Sequence, residues 1–386
     1  MTATDALKIV CSPVKVLKKA VQTPSYLTPL LVLVLFVVAQ FSVSYIVLSR
    51  SYVEQTVPTG LNGDLWTENA TLWSVNEGVT VHQNFLDYVN GTYYGNSSIE
   101  FTALNSEMIR AEIRLPETSV DCSSDGFRNV TFRVKLYPGG STVKNASLRL
   151  LSLNDSYFVH DLTEEFQACS TMYWNNITLP VGGGEWQTVG STANWQNITG
   201  VVINVGFNES SVTLRLDGLF FKSRFRTPLE INAASYLANS VLNAFTQYIM
   251  RWLILTGLVY FILKGLKVVV LWKPLMVAVG TAFMTLTVQA IASIALAWLT
   301  LPPLYYPFEY WAGVPGESTA AETRLVAAVA KFYQSSFILQ AVVYAWLFGL
   351  TAILVHEAAG FKWSRSLVVA FGSLSITVLV GLLLGF

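Results

Sequence analysis

Two of the three histidines, His82 and His160, and two of the three cysteines, Cys122 and Cys169, fall within residues 50–230 of this 386-residue chain. The histidines stand 78 residues apart, and no metal-ligand spacing surrounds either. No G-x-S-x-G, H-E-x-x-H or C-x-x-C occurs, so the nucleophile, zinc and dithiol chemistries those motifs serve have no foothold. Glu164 and Glu165 are adjacent carboxylates, but adjacency does not put two acids across a cleft, as glycoside hydrolysis needs. The expectation is a non-catalytic protein.

Covalent modification is better supported. Nine N-x-S/T sequons, at Asn69, Asn90, Asn96, Asn129, Asn145, Asn154, Asn176, Asn197 and Asn208, all lie between residues 50 and 230. Their confinement to one segment predicts a surface that meets a glycosylation machinery. Cys122 and Cys169 share that segment and can pair in an oxidising compartment. Closing that loop would add up to about 4 kcal/mol in the chain-entropy model; two buried thiols are the alternative.

The same segment is acidic, with 12 Lys/Arg against 19 Asp/Glu, inside a chain of zero net charge. That balance excludes an electrostatic case for nucleic acid. Hydrophobic residues make up 53% of the chain and charged ones 12%, because the flanks are apolar runs. Residues 28–48 carry no charge, enough for a bilayer-spanning helix. Four more spans are expected at 242–263, 275–299, 332–355 and 367–386. With the N-terminus cytoplasmic, nine Lys/Arg fall on inner segments and two on the short outer loop. This predicts a multi-pass cell-membrane protein with residues 50–240 outside and the lipid bilayer as its first partner. The domains follow: a basic amphipathic segment 1–26, helix 27–49, an outer domain 50–230, and helices two to five over 231–386.

Within the outer domain, short alternating segments such as VTFRVKL (130–136) and VVINVGF (201–207) predict an antiparallel β-sandwich. The run from Trp186 through Trp195 to Asp217-Gly218-Leu219-Phe220-Phe221 resembles the closing strands of jelly-roll carbohydrate-binding modules and galactose-binding-like domains. That resemblance implies a structural calcium held in part by Asp217; a turn-forming Asp is the alternative. It also implies exposed aromatic platforms for glycans. Trp66, Trp73, Trp174, Trp186, Trp195 and Tyr173 are aromatic candidates, with Trp186 and Trp195 expected in the core. Tyr93 and Tyr94, flanked by Gly91 and Gly95, read as an exposed loop tip, and with Trp174 they are the candidate ligand-binding residues.

The opening Ser12-Pro13…Thr23-Pro24 and the later Trp346-Leu347-Phe348-Gly349 with Gly360…Ser364-Arg365-Ser366-Leu367 resemble prokaryotic Yip-family membrane proteins. The resemblance implies a five-helix bundle. The large domain between spans one and two departs from simpler members of that family. Pro13 and Pro24 bracket an amphipathic helix with Val14, Leu17 and Val21 on one face, suited to the inner leaflet. Gln289, Gln334 and Gln340 would line a pathway if the bundle transports, or bond helix to helix if it does not. Arg251 is expected to snorkel. The outer loop 301–324, with four prolines and five aromatics, is expected at headgroup level or as a platform for the β-domain.

The expected fold is therefore a five-helix transmembrane α-bundle carrying an all-β, jelly-roll-type sandwich. Its expected role is recognition or scaffolding at the surface, with glycans or envelope proteins as partners; a transport component is the alternative. The sequence assigns no oligomeric state.

Overall fold

The computed structural model describes residues 3–59, 63–115, 119–209 and 211–384. It divides into two compact units, Met1–Ser51 with Thr227–Leu304 and Ala327–Phe386, and Tyr52–Arg226 with Tyr305–Val326.

In chain order, α1 (Ala3–Cys11), α2 (Pro13–Gln22) and α3 (Leu27–Arg50) come first. Strands β1 (Ser51–Val57), β2 (Trp73–Val75), β3 (Val79–Asn84), β4 (Ser98–Leu104), β5 (Met108–Arg114) and β6 (Asn129–Tyr137) follow. Next are β7 (Val143–Leu151), β8 (Tyr157–Asp161), one-turn α4 (Thr163–Gln167), β9 (Asn175–Pro180), β10 (Gln187–Val189), β11 (Gly200–Phe207) and β12 (Ser211–Arg226). The rest comprises α5 (Pro228–Gly265), α6 (Trp272–Ala282), α7 (Met284–Thr300), β13 (Leu304–Tyr306), α8 (Phe308–Ala312), α9 (Glu317–Ala359) and α10 (Trp363–Leu384).

Five helical segments of the first unit are long and apolar enough to cross a membrane: α3, α5, α6 with α7, α9 and α10. α5 starts at a capping box, in which the Thr227 hydroxyl accepts from the Glu230 N–H and the Glu230 carboxylate accepts from the Thr227 N–H. Arg50 donates to the carbonyls of Ala297, Trp298 and Leu301, closing the C-terminus of α7. Phe36, Tyr248 and Phe283 pack in the centre, and the Trp252 indole donates to the Met276 carbonyl at 2.7 Å. The amphipathic N-terminal helix is present as α2, but its buried face is Val16, Leu17 and Ala20, while Val14 is exposed. That face is part of the helical core with Val259, Leu263 and Leu275, so protein rather than lipid covers it.

The second unit is a β-sandwich of two antiparallel sheets. One sheet runs β13-β1-β12-β4-β3, with β6 pairing β12 and β9; the other runs β10-β8-β7-β11-β5-β2. Alternate residues of both sheets form one core, including Phe101, Phe132, Leu214 and Leu216 from the first and Ile109, Leu148, Ile203 and Val205 from the second. Trp66, Trp73 and Trp186 are buried in it, and Trp195 stacks on Phe158, so these tryptophans are core residues.

Of the two roles expected for the outer loop, the structure supports the platform. Tyr305–Val326 belongs to the sandwich unit, and Phe308, Ala312 and Val314 form a second apolar cluster with Val89, Tyr94 and Phe220. Glu309 pairs with Lys222 at 2.6 Å and Glu317 with Arg133 at 2.7 Å.

Candidate functional site

Because Leu148, Leu150, Ile203, Val205, Ile109 and Ala111 point into the core, the intervening residues of β5, β7 and β11 form the opposite face. Register puts Asn204 between Ser147 and Arg110, and Gly206 between Asn145 and Met108. With Arg149, Asp161 and Thr163 these residues line a groove of about 400 Å³. Gly206 keeps its floor open, since a Cβ there would come 2.2 Å from Asn145 Oδ1.

Much of the hydrogen-bonding capacity of this groove is unspent. Among the described residues, the Arg149 guanidinium makes no hydrogen bond or ion pair; it lies 5.0 Å over the Tyr157 ring, and its buried Nε has no acceptor. Arg110 is held at 2.9 Å by Glu112. The Thr163 hydroxyl and N–H, at 2.6 and 2.9 Å, hold the Asp161 carboxyl below its usual range, so it stays ionised. Among the described residues it is the single carboxylate bordering the groove.

A second groove, of about 490 Å³, runs along β9 between Tyr173, Trp174 and Glu165. Tyr173 is 65% exposed. Its amides and hydroxyls are committed elsewhere: Asn175 Nδ2 donates to the carbonyls of Val134, Ser170 and Tyr173, and Thr178 bonds Thr131.

Asp217 lies in neither groove. It is fully buried on β12, facing Asp64, with the Thr67 hydroxyl bonded to Asp64 and 3.5 Å from Asp217. The Val89 N–H donates to Asp217 at 2.6 Å, and the Gly218 N–H donates to Asp64. No Lys, Arg or His pairs with either acid among the described residues. Arg133, opposite Asp217 in register, instead donates to Glu317 and the Tyr94 hydroxyl. Burial, then the charge of the other acid in the case of Asp217, raises both carboxyls. Gly218 is required here, because its φ is +64° and a Cβ would meet the Tyr94 ring at 2.3 Å. Two buried carboxylates and a hydroxyl without a countercharge suit a hard cation such as calcium.

Several expectations are corrected. Tyr94 is 4% exposed and Tyr93 packs on Phe308, so neither is a loop-tip platform; the segment folds under α8, and burial pushes the Tyr94 hydroxyl up to about 12. Trp174 is half-buried under Lys135 and borders the second groove. Cys122 and Cys169 are separate buried thiols rather than a disulfide. The Cys122 N–H is tied to the Trp195 carbonyl, whereas the Cys169 thiol, at the end of α4, donates to the Glu165 carbonyl at 3.3 Å. Of the sequon asparagines, Asn69, Asn90, Asn96, Asn145, Asn154, Asn176 and Asn208 are exposed, while Asn129 and Asn197 are half-buried. Ser210, which completes the Asn208 sequon, lies outside the described residues.

In the helical unit, Gln334 is exposed and Gln289 half-buried, and neither borders the small cavity that Arg251 and Gln340 line. His160 packs against Trp186 and bonds the Glu185 carbonyl, which accounts for it structurally.

The sequence reading missed Asp64, Asn145 as a groove residue, Arg110, Arg149 and Asn204. One signal was available for the last: an Asn interrupts the apolar run VVINVGF.

No protein-family model matches the chain, so the Yip-type resemblance gains no support, and no curated protein matches it either. Solved structures with a similar fold include the family 11 carbohydrate-binding module from Clostridium thermocellum, in complex with a β-1,3-1,4-mixed-linked tetrasaccharide. It is 15% identical, with 43% of this chain and 94% of that one covered, at a TM-score of 0.29. The CBM22-1 xylan-binding domain from Paenibacillus barcinonensis is 10% identical, with 42% and 91% covered, at 0.27. A β-1,2-glucanase from Parabacteroides distasonis is 12% identical, with 41% and 25% covered, at 0.30. TM-scores this low carry nothing beyond a broad likeness of the β-sandwich.

Proposed function

We propose that this chain is a non-catalytic, membrane-anchored recognition protein. Its jelly-roll-type sandwich binds a hydroxyl-rich, acidic glycan in the groove on β5, β7 and β11. One observation carries the reading: Arg149 and Asn204 converge on a rigid strand-built groove with hydrogen-bonding capacity left over. Arg149 is the free cation there among the described residues, which favours a carboxylate-bearing or otherwise anionic ligand. A glycosidase needs two carboxylates across the scissile bond, and among the described residues Asp161 is the one carboxylate that borders this groove. Asp64 and Asp217 lie buried elsewhere, where they would hold a structural calcium with the Thr67 hydroxyl. The bound ion would pin the 64–67 loop to β12 and take no part in recognition.

The test is full-length protein in nanodiscs on an array of acidic and neutral glycans. Binding to uronate-bearing glycans that falls at least tenfold in Arg149→Ala and Asn204→Ala supports the reading. Binding unchanged in both variants would refute it.

A further inference from the structure

We propose a binding site for an anionic acyl lipid at one end of the helical bundle, between α9 and α10. It is independent of the glycan groove and requires only that the five helices lie in a bilayer.

Tyr344, Phe348, Phe371, Leu374, Leu379 and Leu382 line an apolar groove of about 630 Å³. It adjoins a cavity of about 70 Å³ bordered by Arg251, Gln340, Thr377 and Gly381, and the two share Tyr344, Leu374, Val378 and Leu382. Arg251 makes no ion pair or hydrogen bond among the described residues, and the Thr377 hydroxyl is spent on the Ser373 carbonyl of its own helix. A guanidinium among apolar helices is costly without an anion. Gly381 and Leu382 of the cavity lie in the last described turn of α10. From Leu382 back to Phe371 the groove follows α10 for roughly 16 Å at the helical rise, about half the hydrocarbon thickness of a bilayer. The occupant is an acyl lipid with one chain in the groove and a phosphate at Arg251 and Gln340.

The test uses the full chain, delipidated in detergent and monodisperse, by native mass spectrometry. The probes are phosphatidylglycerol, phosphatidylcholine with identical chains, and inorganic phosphate. One phosphatidylglycerol retained per chain in preference to phosphatidylcholine is expected. Arg251→Gln should lower that retention at least tenfold, and Ala345→Trp, which fills the groove that Ala345 also lines, should lower retention of both lipids. Equal retention of the two lipids with Arg251→Gln unchanged overturns the proposal. So does full phosphatidylglycerol retention by Ala345→Trp, or inorganic phosphate competing as well as the lipid.

Discussion

Arg215 and Asp217 stand two residues apart on β12 and belong to clusters that handle buried charge in opposite ways. Around Arg215, Asp87 and Glu100 accept charge-assisted hydrogen bonds at 2.6 and 2.7 Å, and Lys135 adds a third ion pair to Asp87. Burial there works against ionisation, but hydrogen bonds from Lys135 and Arg215 outweigh it and hold both carboxyls below their usual values. Around Asp217, burial meets no cation, and the same acid chemistry is pushed the other way. Arg133 lies in register with Asp217 but is engaged by Glu317. The difference teaches that strand position does not set the state of an acid; the partners delivered by distant segments do.

Removing those segments breaks the comparison most severely. Residues 52–226 expressed without 305–326 would expose Phe220 and Tyr94 and leave Arg133 and Lys222 unpaired. The expected loss is on the order of 5 kcal/mol, read by denaturant unfolding against a version with 305–326 fused back. Equal midpoints would show that the loop is not part of the fold.

Arg215→Gln comes next. It leaves Asp87 and Glu100 with less countercharge and should cost about 3 kcal/mol at neutral pH. Acids with depressed carboxyls contribute stability above their ordinary values near 3.8 and 4.5, and that stability is lost as pH falls through the folded values. The gap between wild type and Arg215→Gln should therefore close on acidification, followed by thermal melts from pH 7 to 3.

Calcium probes the other cluster. At a hundredfold excess over its Kd, a bound ion adds about 2.7 kcal/mol, a rise of roughly 5–10 °C in Tm. Asp217→Asn should abolish that rise; an identical rise in the variant would place the ion elsewhere.

The smallest effect sharpens the sign. In chelator, the raised carboxyls of Asp64 and Asp217 contribute stability at low pH that is lost as pH climbs through their folded values. Asp64→Asn escapes that loss, so its stability relative to wild type should grow by about 1 kcal/mol between pH 4 and 7. A flat or falling difference would mean the pair has a countercharge.

Five apolar helices, an acidic middle domain and alternating strands are all written locally, in runs whose period matches the element they form. Trp186 and Trp195 were expected in the core, whereas Trp66 and Trp73, candidates for exposed platforms, prove to be buried in it as well. Location beyond the strand was not legible. Tyr93-Tyr94 has the composition of a solvent loop, and only the packing of Phe308, more than 200 residues later, turns it into core. Cys122 and Cys169 share a segment of the sequence, yet the fold leaves them as separate buried thiols. Asp217 was singled out by the resemblance to the closing strands of carbohydrate-binding modules, yet Asp64, which faces it, came from a segment with no pattern of its own.

The sequence by itself determined which segments bury which face, because hydrophobic periodicity is a property of neighbours in the chain. Only the tertiary structure decided which acids are paired, which arginines are free and where the grooves open. Those depend on register and on segments brought together across the fold, and no local spacing encodes them.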